Sequence, residues 1–246
     1  MSFDDGLIIK KISLENDKIE NHDIYPFNIE IVKNFTELDL NTTVTFFIGE
    51  NGIGKSTFIE AIAVALGLPA EGGTENFRYE TKNTTSSLSN YIRIAKYNKP
   101  KMKFFLRAES FYNFSSEVQR LVEEDGFYSL YNVYGGNLHE CSHGESFLKL
   151  VQNRFLDHGL YILDEPEAAL SPQRQLSLLC LIDQLVKEGS QFIIATHSPI
   201  LISYREGKIL DLNQNFKEVK YEDTEIYSLY KTYLERPDEM QSRLFD

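Results

Sequence analysis

Residues 49–57 read GENGIGKST and carry the clearest chemical capability in the chain. They fit the spacing G-x-x-x-x-G-K-[ST], with Gly49, Gly54, Lys55 and Ser56 at the fixed positions. Glycines let a backbone curl so that successive N–H groups face a phosphate chain, and a helix starting there adds positive potential. The whole loop (Gly49, Glu50, Asn51, Gly52, Ile53, Gly54, Lys55, Ser56 and Thr57) is therefore a candidate phosphate cradle. Lys55 places a charge on β- and γ-phosphates, and Ser56 offers a hydroxyl to Mg²⁺.

Two further stretches end apolar runs with chemically competent side chains. In LYILDEPEAALSP, 160–172, four apolar residues precede Asp164 and Glu165. Ligands of parallel sheets bind at that end of a strand. Asp164 suits Mg²⁺, directly or through water, and Glu165 suits a general base that polarises an attacking water. In QFIIATHSPIL, 191–201, His197 emerges where the apolar run stops. A histidine there can hydrogen-bond a γ-phosphate. Taken singly, an acid pair or a histidine after a strand is ordinary loop chemistry; the order of the three stretches gives them weight.

These groups need elements to hold them. Residues 6–14, 26–32 and 43–48 are rich in β-branched and aromatic side chains and read as strands. Residues 55–66 read as a helix with Phe58, Ile59, Ile62 and Leu66 on one side, followed by a Gly/Asn/Thr/Ser-rich loop or insertion. A strand is expected over 101–108 and helices over 115–124 and 145–155. Short buried strands follow at 160–163 and 191–195. They flank a helix at 171–189 with serine at its N-cap, proline at its first position and glycine beyond its end. KILDL and KEVKY add strands, and 224–236 reads as a helix. Alternating strands and helices predict an α/β fold with a mainly parallel core sheet.

Composition narrows the function. The 246 residues suit one large α/β domain or two small ones, and 42% hydrophobic content supports a real core. No run of about 18 apolar residues occurs, so no helix is expected to insert in a membrane. The acids in MSFDDGLIIKK argue against a secretory signal. Cys141 and Cys180 fit no metal spacing, and a structural disulfide is not expected in a cytosolic chain. A net charge of −12 excludes wrapping nucleic acid by bulk electrostatics, though not a local basic patch.

The order of motifs resembles the ABC-type ATPase domain, shared by transporter ATP-binding subunits and by soluble chromosome-maintenance and DNA-repair ATPases. The pattern from about Tyr25 onward is similar to small stand-alone bacterial predicted ATPases of that superfamily. The resemblance implies a P-loop NTPase fold over 1–246 as one domain. It has an antiparallel β part within roughly 1–48, which also contributes the first core strands, and a helical part near 110–155 that carries a signature motif. CSHGE, 141–145, stands in the signature position; Ser142 and Gly144 match the serine and second glycine of LSGGQ, whereas Cys141, His143 and Glu145 depart from it. The resemblance implies that Ser142, Gly144 and Glu145 grip a nucleotide held by a second subunit. The same residues also make an ordinary helix cap. AALS, 168–171, matches the D-loop. Glu109 occupies the place of the family's glutamine loop, either touching Mg²⁺ with an extra charge or standing as a solvated strand-end acid. Tyr25 lies upstream, where an aromatic side chain stacks on adenine in transporter domains, in a chain where aromatics are abundant. Arg78 and Arg107 are candidate phosphate contacts or surface ion-pair residues.

The implied function is ATP binding and Mg²⁺-dependent hydrolysis by a cytoplasmic, head-to-tail dimer that acts on a protein or nucleic-acid partner. Alternatives are the ATP-binding subunit of a membrane transporter, or a low-turnover ATP-dependent binding module in a defence or toxin system. About a hundred residues separate the phosphate loop from the DE strand. That is too few for the long coiled coil of a repair machine at about 1.5 Å per helical residue.

Overall fold

A computed structural model describes residues 7–75, 86–124, 126, 127, 131, 136 and 142–245. Its first elements are β1 (Ile9–Leu14), α1 (Glu30–Lys33), β2 (Glu37–Asp39), β3 (Val44–Ile48) and α2 (Lys55–Ala65). Then come β4 (Ile92–Lys96), β5 (Met102–Arg107), α3 (Phe111–Glu123) and α4 (His143–Arg154). The chain continues through β6 (Gly159–Asp164), α5 (Pro172–Lys187), β7 (Gln191–Ala195) and β8 (Gly207–Asp211). It closes with β9 (Lys217–Val219), α6 (Glu225–Glu235) and α7 (Pro237–Phe245).

Among the described residues the core sheet runs β5-β6-β7-β3-β8-β9, parallel apart from the antiparallel β8–β9 edge. Every residue of β3, β6 and β7 is buried. This is why their sequences are continuous apolar runs rather than alternations: a parallel sheet is covered on both faces. On one face Phe47, Phe105, Ile162 and Ile193 join α1, α2 and the second sheet; on the other Phe46, Phe104, Tyr161 and Phe192 pack with α3, α4 and α5. Rings interlock in each layer, Phe58 against Phe216 at 4.9 Å and Phe155 stacked on Tyr161 at 3.9 Å. Such pairs contribute roughly 0.5–1.5 kcal/mol each beyond area burial.

The second sheet, β2-β1-β4, is antiparallel. Its third strand is drawn from 92–96, so the antiparallel part extends beyond the expected N-terminal segment. Gln191, wholly buried, ties it to the core. Its Oε1 accepts from the backbone N–H groups of Ile8 and Ile9, and its Nε2 donates to the carbonyls of Ile9 and Thr42.

Some expectations need correction. The strand expected over 26–32 is not there; residues 30–33 are helical. Ile31 and Val32 are the buried residues of this single turn of helix, whose shortness and β-branched composition disguised it. The helix expected at 115–124 starts at Phe111, because Phe111, Phe114, Val118 and Val122 form one buried face. β2, β4 and α7 were not anticipated; the first is only three residues long and the last buries no residue, so neither has a strong periodic signal. In the expected helical part, α3 and α4 are seen, while most residues between them lie outside the described set.

The register is what the site needs. Arg107 pairs with Asp164, Asp164 with Ala195, and Ala195 with Phe47. One row across four strands thus brings Arg107 and Asp164 level with the residues that lead into His197 and into the phosphate loop.

Candidate functional site

The loop 49–57 joins the end of β3 to the start of α2. Gly54 is its tightest point, with φ +106° and Ile29 Cγ2 only 2.8 Å from where a Cβ would lie. A side chain there meets both a backbone penalty and a collision. Lys55 is buried, and its Nζ donates to the carbonyls of Gly49 and Glu50, both at 2.9 Å. Burial lowers the Lys55 pKa, opposed by the charges of Glu165, Asp164 and Glu167. Asn213, just past β8, braces the loop mouth by accepting the N–H of Glu50 at 3.2 Å. A cavity of about 380 Å³ lies alongside, lined by Gly49, Glu50, His197, Asn213, Ile226 and Leu229 among others. Tyr25 is exposed, with its hydroxyl 3.3 Å from that of Thr57 at the other end of the loop.

Ser56 Oγ donates to Asp164 Oδ1 at 3.2 Å. Asp164 is buried, and burial raises its pKa to about 6 against the opposing pull of Arg107. Glu165 follows in the left-handed region, φ +48° and ψ +51°. A non-glycine residue held there stores strain of about 1–3 kcal/mol, a feature that concentrates at functional sites. Its backbone N–H is fixed on the carbonyl of Ala195, and its half-exposed carboxylate has Oε1 3.7 Å from His197 Nε2. The imidazole pKa is held below its usual value by burial, then by Lys55, with Glu165 pulling the other way. His197 is therefore neutral at pH 7. Its Nε2 is buried without a hydrogen-bond partner, so a ring nitrogen is left for a ligand.

The residues present suit a triphosphate and a hard cation. A hydroxyl and a carboxylate oxygen, 3.2 Å apart, form an oxygen donor set of the kind Mg²⁺ prefers beside phosphate and water. Among the described residues no cluster of three His, Cys, Asp or Glu side chains is arranged to bind a metal on protein groups alone.

Sequence reasoning missed some of the supporting groups. Glu167 accepts from Thr196 Oγ1 at 2.8 Å and from the N–H of His197, which locks the histidine's backbone to the turn after Glu165. Burial raises its pKa. Glu60 on α2 pairs with Arg107 at 2.9 Å, so Arg107 faces carboxylates rather than open surface. No motif marks either contact, because each depends on strand and helix placement. Glu109 is 85% exposed and lies 3.8 Å from Arg107 Nε, the same nitrogen that lies 3.2 Å from Asp164 Oδ2. Arg78 and Cys141 lie outside the described residues; Cys180 is an exposed free thiol.

The signature candidates sit elsewhere. Ser142 caps α4, and Glu145 returns a bond to the Ser142 N–H at 3.0 Å. Arg174 of α5 clamps both, with Nη1 3.1 Å from Ser142 Oγ and Nη2 3.0 Å from Glu145 Oε1. Gly144 is buried so closely that an added Cβ would meet Arg174 Nη1 at 2.8 Å and the Ala169 carbonyl at 2.9 Å. These residues are thus joined to the turn and helix that follow the DE strand, not to residues 49–57 of their own chain.

A family model described as AAA domain matches residues 18–239. The energy-coupling factor transporter ATP-binding protein EcfA2 of Mesomycoplasma hyopneumoniae (strain 7448) is 27% identical over 203 residues, covering 66% of this chain and 66% of that protein. Protein Pixie of Drosophila melanogaster is 23% identical over 209 residues, covering 80% of this chain and 32% of its own length. The chain thus spans slightly less than two thirds of the first of these relatives. Among solved structures, an ATP-binding cassette of an ABC transporter in its ADP conformation gives a TM-score of 0.47 at 16% identity, covering 98% of this chain and 99% of that one. The SMC head domain from Thermotoga maritima gives 0.44 at 16% identity, with 83% and 95% covered.

Proposed function

The chain belongs to the AAA domain family and is a P-loop ATPase of the ABC type, and on that premise we propose a nucleotide-driven dimer switch that binds ATP with Mg²⁺ and hydrolyses it. The observation that carries this reading is the contact of Ser56 with Asp164, with Glu165 held in a strained conformation immediately after. The residues divide the work. The loop N–H groups and Lys55 bind and neutralise the phosphates. Mg²⁺, held by Ser56 and Asp164, would supply positive charge at the phosphate oxygens. Glu165 orients a water and accepts its proton; His197 presents its unpaired Nε2 to the terminal phosphate.

Ser142, Gly144 and Glu145 are fastened to Arg174 and Ala169, away from the loop of the same chain. This supports completion of each site by a second copy, head to tail. The partner on which the motion acts is a protein or nucleic acid. Among the described residues no helix is long and apolar enough to cross a membrane.

The test is the solution mass of Glu165→Gln protein by light scattering, with and without ATP–Mg²⁺. Removing a general base lowers turnover about 10²–10⁴-fold, so bound ATP persists. A dimer only with ATP, lost on adding Ser142→Arg, is the expected result. A monomer that retains bound ATP refutes the two-copy site. The similarity to a transporter ATP-binding protein supports a second reading, in which the chain serves a membrane complex; co-purification with membrane subunits would favour it. Phosphate release no faster than that of Glu165→Gln would favour a low-turnover binding module.

A further inference from the structure

We infer that Arg107 is the positioning residue of the Mg²⁺-binding carboxylate, fixing Asp164 towards Ser56 before nucleotide arrives. This rests on the Mg²⁺–nucleotide reading of the site given above.

Arg107 ends β5 directly opposite Asp164 in the sheet register. Its side chain is 20% exposed. Nη1 donates to Glu60 Oε2 at 2.9 Å, and Nε lies 3.2 Å from Asp164 Oδ2. Glu60 belongs to α2, the helix that the phosphate loop opens. One guanidinium therefore bridges the helix of the loop and the strand of the carboxylate.

The two oxygens of Asp164 face different groups. Ser56 takes Oδ1 and Arg107 faces Oδ2. The first contact is a hydrogen bond; the second is an ion pair, in which Arg107 Nε makes no hydrogen bond and acts on Oδ2 through its charge. Lys55 does not share the task, since its ammonium is engaged with the Gly49 and Glu50 carbonyls. Among the described residues no other lysine or arginine forms an ion pair with Asp164.

Charge makes the same point. Glu60, Asp164, Glu165 and Glu167 gather at this end of the sheet, and the side chains of Glu60 and Asp164 are 13% and 3% exposed. Buried carboxylates without a cation are costly. A guanidinium is suited to serve both because it is planar with a delocalised charge: Nη1 hydrogen-bonds Glu60 while Nε lies at ion-pair distance from Asp164, whereas an ammonium is a point charge. Arg107 lets the site stand assembled while empty, so a hard cation meets an oxygen pair already set.

The test measures the Mg²⁺ concentration that gives half-maximal tight binding of a fluorescent ATP analogue to the full chain. Second-shell changes typically weaken a metal site about 10–100-fold, so Arg107→Ala should raise this concentration about tenfold. Analogue binding in EDTA should stay unchanged, because the phosphate loop is intact. Arg107→Lys, which keeps the charge without the fork, should still raise it about threefold. Lower thermal stability of Arg107→Ala with an unchanged Mg²⁺ requirement means a purely structural role and overturns the inference. A reduced requirement also overturns it, since Arg107 would then simply repel the cation. If Arg107→Ala does not fold, Glu60→Gln decides. It keeps the guanidinium and an acceptor for Nη1 but removes the charge that braces it; a rise of about threefold supports the inference and no rise overturns it. Unsubstituted protein that binds the analogue without regard to Mg²⁺ refutes the parent reading and this one together, whereas Mg²⁺ dependence unaltered by Arg107→Ala refutes this one alone.

Discussion

Ser56 Oγ donates a hydrogen bond of 3.2 Å to Oδ1 of Asp164, across 108 positions of sequence. The contact joins the first turn of α2 to the end of β6. It places a neutral and an anionic oxygen donor at the mouth of the phosphate loop, at the C-terminal edge of a parallel sheet where ligands bind.

The Asp164 carboxyl makes nucleotide-free stability depend on pH. Burial raises its pKa from 3.8 to about 6 in the folded protein, with Arg107 opposing. Between those values the folded state binds the proton that the unfolded chain has released. Stability from this group is therefore fully present below about pH 4 and is lost as pH rises through about 6. Two pKa units correspond to about 3 kcal/mol. Asp164→Asn should remove that fall from a profile of denaturant unfolding between pH 4 and 7. A smaller fall should remain from Glu167, whose pKa is raised in the same direction.

Lys55→Ala should weaken nucleotide binding about 10- to 100-fold, from the loss of a charged hydrogen-bonding group at roughly 1.5–3 kcal/mol. The empty protein should change less. Its ammonium is buried against two carbonyls, and burial already opposes its charge. Calorimetric titration with ATP, compared with thermal unfolding of the free protein, separates the two effects.

Gly144→Ala should destabilise the fold by about 1–3 kcal/mol, the usual penalty for overpacking. The new methyl meets Arg174 Nη1 and the Ala169 carbonyl, and the latter is backbone that cannot swing aside. The same push moves the cap of α4, so ATP-dependent dimerisation of a Glu165→Gln background should weaken. Chemical denaturation and light scattering report the two results.

Gln191→Leu should cost about 2–4 kcal/mol, because two N–H groups and two carbonyls lose a buried partner together. Nucleotide affinity should be unaffected at temperatures where the variant is folded, since Gln191 begins β7 and the site lies at its other end. Urea unfolding and ATP titration on the same sample check both parts.

The phosphate loop, the DE strand and the histidine strand were legible in sequence because each is a local device. Glycines, an apolar run and a helix start act within a dozen residues, and their physics does not wait for tertiary contacts. The parallel sheet was legible for the same reason: β3, β6 and β7 are unbroken apolar runs. The helix at 30–33 was not, since Ile31 and Val32 favour strands in isolation and are helical here where both are buried in the core with Phe27 and Phe35. Arg107 carried no more sequence signal than Arg78. Register alone set it opposite Asp164, and the packing of α2 alone brought Glu60 to its other side. Likewise, sequence offered Ser142 and Glu145 both as a cap and as a nucleotide grip, and the tertiary structure fastened them to Arg174. The sequence by itself determined which groups can do phosphoryl chemistry, because that depends on residue type and short spacing. Only the tertiary structure decided which charges neutralise one another, because Coulomb energy and burial depend on distances between strands and helices far apart in the chain.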